Sequence, residues 1–322
     1  MRCFSLPYNN DILILNKLET EFHGVNGCSE IYFAVSNNWI GSGRSITQTD
    51  LYEEEILTLT HTARDKGIEC NILLNAGCLD HMMSNASFIK NILMYLSSLV
   101  EKMSVDTFTV SDYLLAKEIK MAFPKIKIEC SSIAYIDSVA KAKYWIDIGC
   151  DILVIPPVLN KNLRFIKELR NEYPKLLLKL VTNQRCLFDC PMWIGHHNIR
   201  AHGNEGFIYN ESCHKEFADK PWKYYSSSYI PPEYLSFYDK YIDIYKLVDR
   251  RFSTDMILNQ FSIYSNEEEK YKDELYKNQL SITAEQFEKI LYCNKNCANC
   301  KFCEDIYEVK QQFNISPDLT EA

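Results

Sequence analysis

The chain is poor in positive charge. Its 35 Lys and Arg residues stand against 43 Asp and Glu, a net charge of −8. It therefore lacks the general basic footprint that a nucleic-acid backbone requires, although a local basic groove stays open. It has no run of about 18 uninterrupted apolar residues, so neither a membrane span nor a membrane partner is expected. The opening "MRCFSLPYNNDILIL" carries one Arg but no apolar stretch of signal-peptide length and no small-residue cleavage site, and a cytoplasmic location is expected. Two hydrolase signatures are also missing. No helix pattern sets two histidines around a glutamate as in zinc proteases, and no serine elbow is present. "HHNIRAH" (196–202) has the histidine spacing without the glutamate.

What remains is an ordinary globular composition, 47% apolar and 24% charged over 322 residues. That length is long for one common domain and normal for an α/β barrel. Eight short runs rich in Ile, Val and Leu recur: "CFSLP" (3–7), "EIYFAVS" (30–36), "ECNILLN" (69–75), "TFTVS" (107–111), "KIECS" (127–131), "DILVIP" (151–156), "LLLKLVTN" (176–183) and "IDIYKLVD" (242–249). They read as apolar on both faces, as buried parallel strands do. Helical spacing fills the intervals, for example at 51–67, 111–123, 137–149 and 162–173, with Ser or Asp at starts and Gly or Pro at stops. The pattern predicts an α/β fold, a TIM-like (β/α)8 barrel over residues 1–265, ahead of a doubly wound open sheet. About 58 residues separate the seventh and eighth strands, and a connection this long is usually functional. It is expected to form a metal-binding insertion at about 184–240. A charged helix or linker is expected at 266–290, and a Cys-rich tail at 291–322.

The cysteines divide into two kinds. Cys3, Cys28, Cys70, Cys130 and Cys150 stand alone in apolar surroundings and read as small buried hydrophobes. Cys186, Cys190 and Cys213 share the long insertion with several histidines. Cys293, Cys297, Cys300 and Cys303 place four thiols within eleven residues. In a chain of this size, grouped thiolates select zinc or an iron–sulfur cluster. The tail spacing resembles ferredoxin-type binding except for its first gap, with a structural zinc knot as the alternative. Cys78 follows the third strand.

Barrel chemistry sits at the carboxyl ends of the strands. There the sequence offers Asn75, Ser131, Asn183, Lys246 and Arg250 as substrate-binding candidates. The cations Lys246 and Arg250, at the end of an apolar strand, suit an anionic group.

"NQRCLFDCPMWIGHHN" resembles the Asn-x-x-Cys-Leu-x-x-Cys-Pro-x-x-x-x-His-x-Asn segment of the collagenase-like peptidase family U32, and "IGSGR", "LLNAGCL", "FTVSD", "YIPPEYL" and "IYKLVDR" add further likeness along the barrel. The sequence departs from the pattern at Trp193, where a basic residue is common, and at Pro231, where many members carry Arg before the Pro. The family is named for proteolysis, yet members that modify RNA or quinones are oxygen-independent hydroxylation factors carrying a 4Fe–4S cluster on a barrel. The resemblance therefore implies a cluster at Cys186, Cys190 and Cys213 and leaves the fourth ligand open, with Cys78 as the expected one and an iron position bound by substrate or water as the alternative. His196 and Asn198 become substrate or supporting contacts. A second cluster in the tail is the further expectation. Three functions follow: an iron–sulfur redox or hydroxylation enzyme; a metal- or thiol-dependent peptidase; or a non-catalytic barrel that binds a peptide or a second subunit. The expected substrate is a small molecule, a peptide or RNA, and a redox or heteromeric protein partner is compatible with the aromatic stretch at 222–241.

Overall fold

The computed structural model describes residues 2–22, 27–35, 39–43, 51–202, 207–266 and 281–314. Arg44, most of the charged segment expected at 266–290 and the last eight residues of the tail lie outside them. Eight parallel strands close into a barrel in sequence order: β1 Cys3–Pro7, β2 Cys28–Phe33, β3 Glu69–Leu74, β4 Thr107–Val110, β5 Lys127–Cys130, β6 Ile152–Ile155, β7 Leu177–Val181 and β8 Ile244–Lys246. Each overlaps one of the eight predicted runs. Closure comes from the pairing of β1 with β8, Ser5 opposite Lys246.

Helices cover the outside. α1 Leu13–Glu21 and α2 Glu53–Asp65 flank β2, and α3 Ala86–Lys102 follows β3. α4 Tyr113–Ala122 starts where the Asp112 carboxylate accepts the Leu115 N–H at 2.8 Å, and ends one residue short of the Phe123–Pro124 step. α5 Val139–Asp147 is capped by Ser138, and α6 Leu163–Glu172 by Asn162. Such caps satisfy N–H groups that have no partner within the helix.

β6 is apolar on both faces, with Ile152, Leu153, Val154 and Ile155 all buried, but the other strands are not. Outward positions are apolar: Phe4, Leu6, Ile31, Phe33, Ile72, Phe108, Ile128, Leu153, Leu178 and Leu180 all pack under the helices. The alternate, inward positions carry Ser5, Glu30, Asn71, Thr107, Thr109, Glu129, Lys179 and Lys246, every one buried. Lys179 donates to Glu30 at 2.8 and 2.9 Å and also to Glu129. Lys246 donates to Glu129 at 3.1 Å. Ser5 donates to Glu30, Asn71 to Glu129 at 3.0 Å, and Thr109 to both Asn71 and Glu129. The barrel interior is thus a hydrogen-bonded layer of two carboxylates and two ammoniums, neutral in sum.

The long connection after β7 folds into α7 Trp193–Ala201, α8 Phe207–Asp219, α9 Lys223–Ser226 and a 3-10 turn at Pro232–Phe237. After β8 come α10 Thr254–Asn266, α11 Ala284–Leu291 and α12 Phe302–Asn314. The tail packs against the barrel. Phe287 of α11 is fully buried and stacks on Tyr234 at 4.4 Å, Trp222 meets Tyr307, and Lys295 bonds Asp189 at 3.1 Å.

Candidate functional site at the barrel mouth

At the carboxyl end of the strands lies a cavity of about 330 Å³. Its floor is made of inward strand residues, Tyr32, Leu73, Thr109, Glu129, Val154, Val181 and Lys246. The connection after β7 forms its roof, with Gln184, Arg185, Cys186, Cys190, Trp193, His196, His197, Arg200 and Cys213. Of the residues singled out from sequence, Asn75, Ser131, Cys186, Cys190, His196, Cys213, Lys246 and Arg250 share this one space.

Asn183, Asn198 and Cys78 do not line it. The Asn183 side chain bonds both backbone groups of Val248, its amide donating to the carbonyl and its oxygen accepting the N–H at 2.8 Å. It ties the end of β7 to the end of β8. The Cys78 thiol faces Asp80 instead, at 3.9 Å. Four of the five isolated cysteines are buried as expected, but Cys3, the first residue of β1, is exposed.

The mouth is basic although the chain is acidic. Five cations line it (Arg185, Arg200, Lys246, Arg250 and Arg251) against two carboxylates, Glu129 and Asp249. Lys246 sits 4.1 Å over the Tyr32 ring, and Arg250 donates to the Ser42 hydroxyl at 3.0 Å. Burial pulls the Lys246 ammonium below its usual range, while Glu129 pulls the other way. Burial would raise Glu129, but Lys179 and Lys246 outweigh it and hold the carboxyl at about 2. Glu129, Glu30 and Lys179 were not found from sequence. The signal was present: a charge in the middle of a buried strand is tolerated only when paired.

The three mouth thiols form one electrostatic group. Burial pushes Cys186 up to about 12, and Cys190 and Cys213 push the same way; Cys190 is raised by burial and by Cys213. The Gln184 amide donates to Cys186 Sγ at 3.3 Å, and Ser228 holds the Cys186 N–H at 2.7 Å. Clustered thiols of this kind become thiolates when a metal compensates the charge. A single tetrahedral zinc, with bonds of about 2.3 Å, holds its sulfurs within about 4 Å of one another. Among the described residues, the one group of three ligand atoms lying mutually within 4.8 Å is Cys78, Asp80 and His202. The three mouth thiols do not form such a group of three. Burial lowers His196 to about 4 and His197 to about 3, with Arg200 adding to both, so both imidazoles are neutral at pH 7. His197 Nδ1 and Trp193 Nε1 are buried without a hydrogen-bond partner among the described residues.

The tail cysteines make a second set. Cys303 is packed on the core and raised by burial to about 12, with Cys293, Cys297 and Cys300 adding to the rise. The backbone N–H of Lys295, a residue in the left-handed region (φ 63°), donates to Cys293 Sγ at 3.3 Å. None of the four lines the mouth.

These features define a (β/α)8 barrel protein with a thiol-lined, cationic mouth. Residues 17–180, just over half of the chain, match the description of peptidase family U32, and the chain belongs to that family. The matched span ends before Cys186, so it describes the barrel rather than the cysteine-bearing roof. An uncharacterized protease of Methanocaldococcus jannaschii is 25% identical over 292 residues, covering 84% of this chain and 85% of that protein. The solved structure of the U32 peptidase Mk0906 superposes with a TM-score of 0.55 at 16% identity, covering 77% of this chain and 93% of that one. At this identity the superposition speaks to the fold alone. No helix among the described residues is long and apolar enough to cross a membrane.

Proposed function

We propose that the protein is an iron–sulfur modifying enzyme of redox type, acting on an anionic substrate in the barrel mouth. The observation that carries this reading is the convergence of Cys186, Cys190 and Cys213 with Lys246 and Arg250 on one cavity. The three thiols would hold a 4Fe–4S cluster, which when bound supplies electron transfer or a Lewis-acidic iron. The protein's own part is to bind and orient. Lys246 and Arg250 hold the anionic group, Glu129 fixes Lys246 from below, and the neutral His196 and His197 can accept or donate a hydrogen bond without adding charge. The reaction class is oxygen-independent hydroxylation. A substrate C–H becomes C–OH while a hydroxylated donor X–OH is reduced to X–H, so no molecular oxygen is consumed. The tail quartet would hold a second centre. The reading takes support from the family's hydroxylating members; the protease name of the archaeal relative favours peptide hydrolysis instead.

Anaerobic purification followed by iron, acid-labile sulfide and zinc analysis, with electron paramagnetic resonance after reduction, tests this. The expected protein is brown and holds about four irons per cluster. Replacing Cys186 and Cys190 by Ala should remove the mouth cluster. A colourless protein loaded with zinc, or peptide cleavage that survives both replacements, would overturn the proposal.

A further inference from the structure

Cys78, Asp80 and His202 have no place in the mouth, yet their ligand atoms are the closest-set group of three among the described residues, all within 4.8 Å of one another. They come from two segments: the turn after β3 and the residue that caps the end of α7. What brings these segments together is Gly77. A Cβ there would stand 2.6 Å from the carbonyl oxygen of His197 and 2.7 Å from its carbonyl carbon, so only glycine lets the turn lie against α7. Leu79, buried at 6% exposure, anchors the turn from below.

The turn is also arranged around the sulfur. Asp80 adopts a left-handed conformation (φ 49°), uncommon for a residue with a side chain, and its backbone N–H points at Cys78 Sγ, 3.4 Å away. The same arrangement recurs at Cys293 with Lys295. A backbone N–H donated to a cysteine sulfur holds that sulfur in a fixed place on its turn. The Asp80 Oδ1 atom then lies 3.9 Å from Cys78 Sγ and 3.5 Å from His202 Nε2, which places one oxygen between the sulfur and the nitrogen. Cys78 is half-buried, while Asp80 and His202 are exposed, so the group is open on the solvent side.

We propose that Cys78, Asp80 and His202 form a mononuclear site for a divalent cation of the zinc class, separate from the mouth thiols. One thiolate, one carboxylate and one imidazole is a borderline-soft donor set, and three protein ligands with an open fourth position is the arrangement that leaves room for water. The site assigns Cys78 a role other than fourth ligand to the mouth cluster, and it stands whether or not that cluster exists.

The test uses the full chain, purified anaerobically, with iron and sulfide measured first. Zinc and cobalt(II) are then titrated into the wild type and into C78S, D80N and H202A. The expected result is one more equivalent bound by the wild type than by C78S. Cobalt should give a thiolate-to-metal charge-transfer band and tetrahedral visible bands that C78S abolishes. D80N and H202A should weaken binding tenfold or more. All three variants alter partly or fully exposed side chains, and unchanged thermal melts of the metal-free forms would show that they fold. Equal equivalents in the wild type and C78S would overturn the site. So would loss of mouth iron in C78S, because that result gives Cys78 to the cluster.

Discussion

Glu129→Gln is the sharpest probe of the barrel interior. The carboxylate is fully buried and accepts hydrogen bonds from Lys179, Lys246, Asn71 and Thr109. Its drop from 4.5 to about 2 corresponds to about 3 kcal/mol of stability at neutral pH. Removing one partner of a buried ion pair costs roughly 3–5 kcal/mol by a separate route, because the remaining charge is left uncompensated. Both figures describe the same buried interaction, and either is a large part of a total of roughly 5–15 kcal/mol. The pH dependence gives a second signature. In the wild type, the Glu129 contribution is present above the unfolded carboxyl range and is lost as pH falls from 4.5 through about 2. In the variant, two buried lysines share only Glu30. Lys246, already depressed by burial, loses its main support and falls further. A lysine whose folded pKa is depressed destabilises fully below that pKa, and the penalty fades as pH rises toward its unfolded value. Urea denaturation at pH 7 and pH 9.5 should therefore show a deficit of about 3 kcal/mol at pH 7 that narrows at pH 9.5. A deficit under about 1 kcal/mol with no pH dependence would refute the account of a charge-balanced interior.

Two further outcomes follow from the same geometry. Gly77→Ala should cost about 1–3 kcal/mol as overpacking, and should displace α7 enough to change the near-ultraviolet dichroism of Trp193. Gly67→Ala is the control: it has a positive φ but nothing within 4 Å, so it should leave that signal unchanged. Arg250→Met should weaken binding of a phosphate or dicarboxylate probe by about tenfold to a hundredfold in calorimetric titration, the value of one charge-assisted hydrogen bond, and should flatten the salt dependence. Unchanged probe affinity would remove Arg250 from the anion site.

The barrel was legible because its strands repeat a simple instruction. "ECNILL" and "TFTV" carry enough Ile, Val, Leu and Phe to be recognised as buried, and the Asp112, Ser138 and Asn162 caps mark where helices begin. The inside of the barrel was harder to see. Reading each strand as apolar on both faces hid a period of two, with helices covering one side and a polar layer on the other. Glu30, Glu129 and Lys179 are charges set in largely apolar runs, and the two carboxylates that pair with Lys179 lie 149 and 50 residues away from it, so only closure of the barrel pairs them. The mouth was partly legible for the same topological reason. Strand-end residues of a barrel converge whatever their distance in sequence, which is why Asn75, Ser131, Lys246 and Arg250 meet. Cys78 shows the limit of that rule. It lies three residues beyond Asn75, and over three residues the turn carried its thiol from the mouth to the rim.

The interior layer and the mouth form one electrostatic device. Glu30 and Glu129 balance Lys179 and Lys246, so the layer adds no net charge to the cavity above it. Lys246 nevertheless keeps a directed role, since Glu129, which takes one of its three N–H donors, and the Tyr32 ring fix its position. The positive excess of the mouth then comes from arginines on the connections, Arg185, Arg200, Arg250 and Arg251 against Asp249. These arginines lie outside the buried strand layer, whereas Lys246 is part of it. The structure thus separates a fixed cation, supported by buried partners, from a ring of arginines outside that layer. A protein with a net charge of −8 can in this way present a basic pocket to one anionic ligand while its exterior disfavours polyanions.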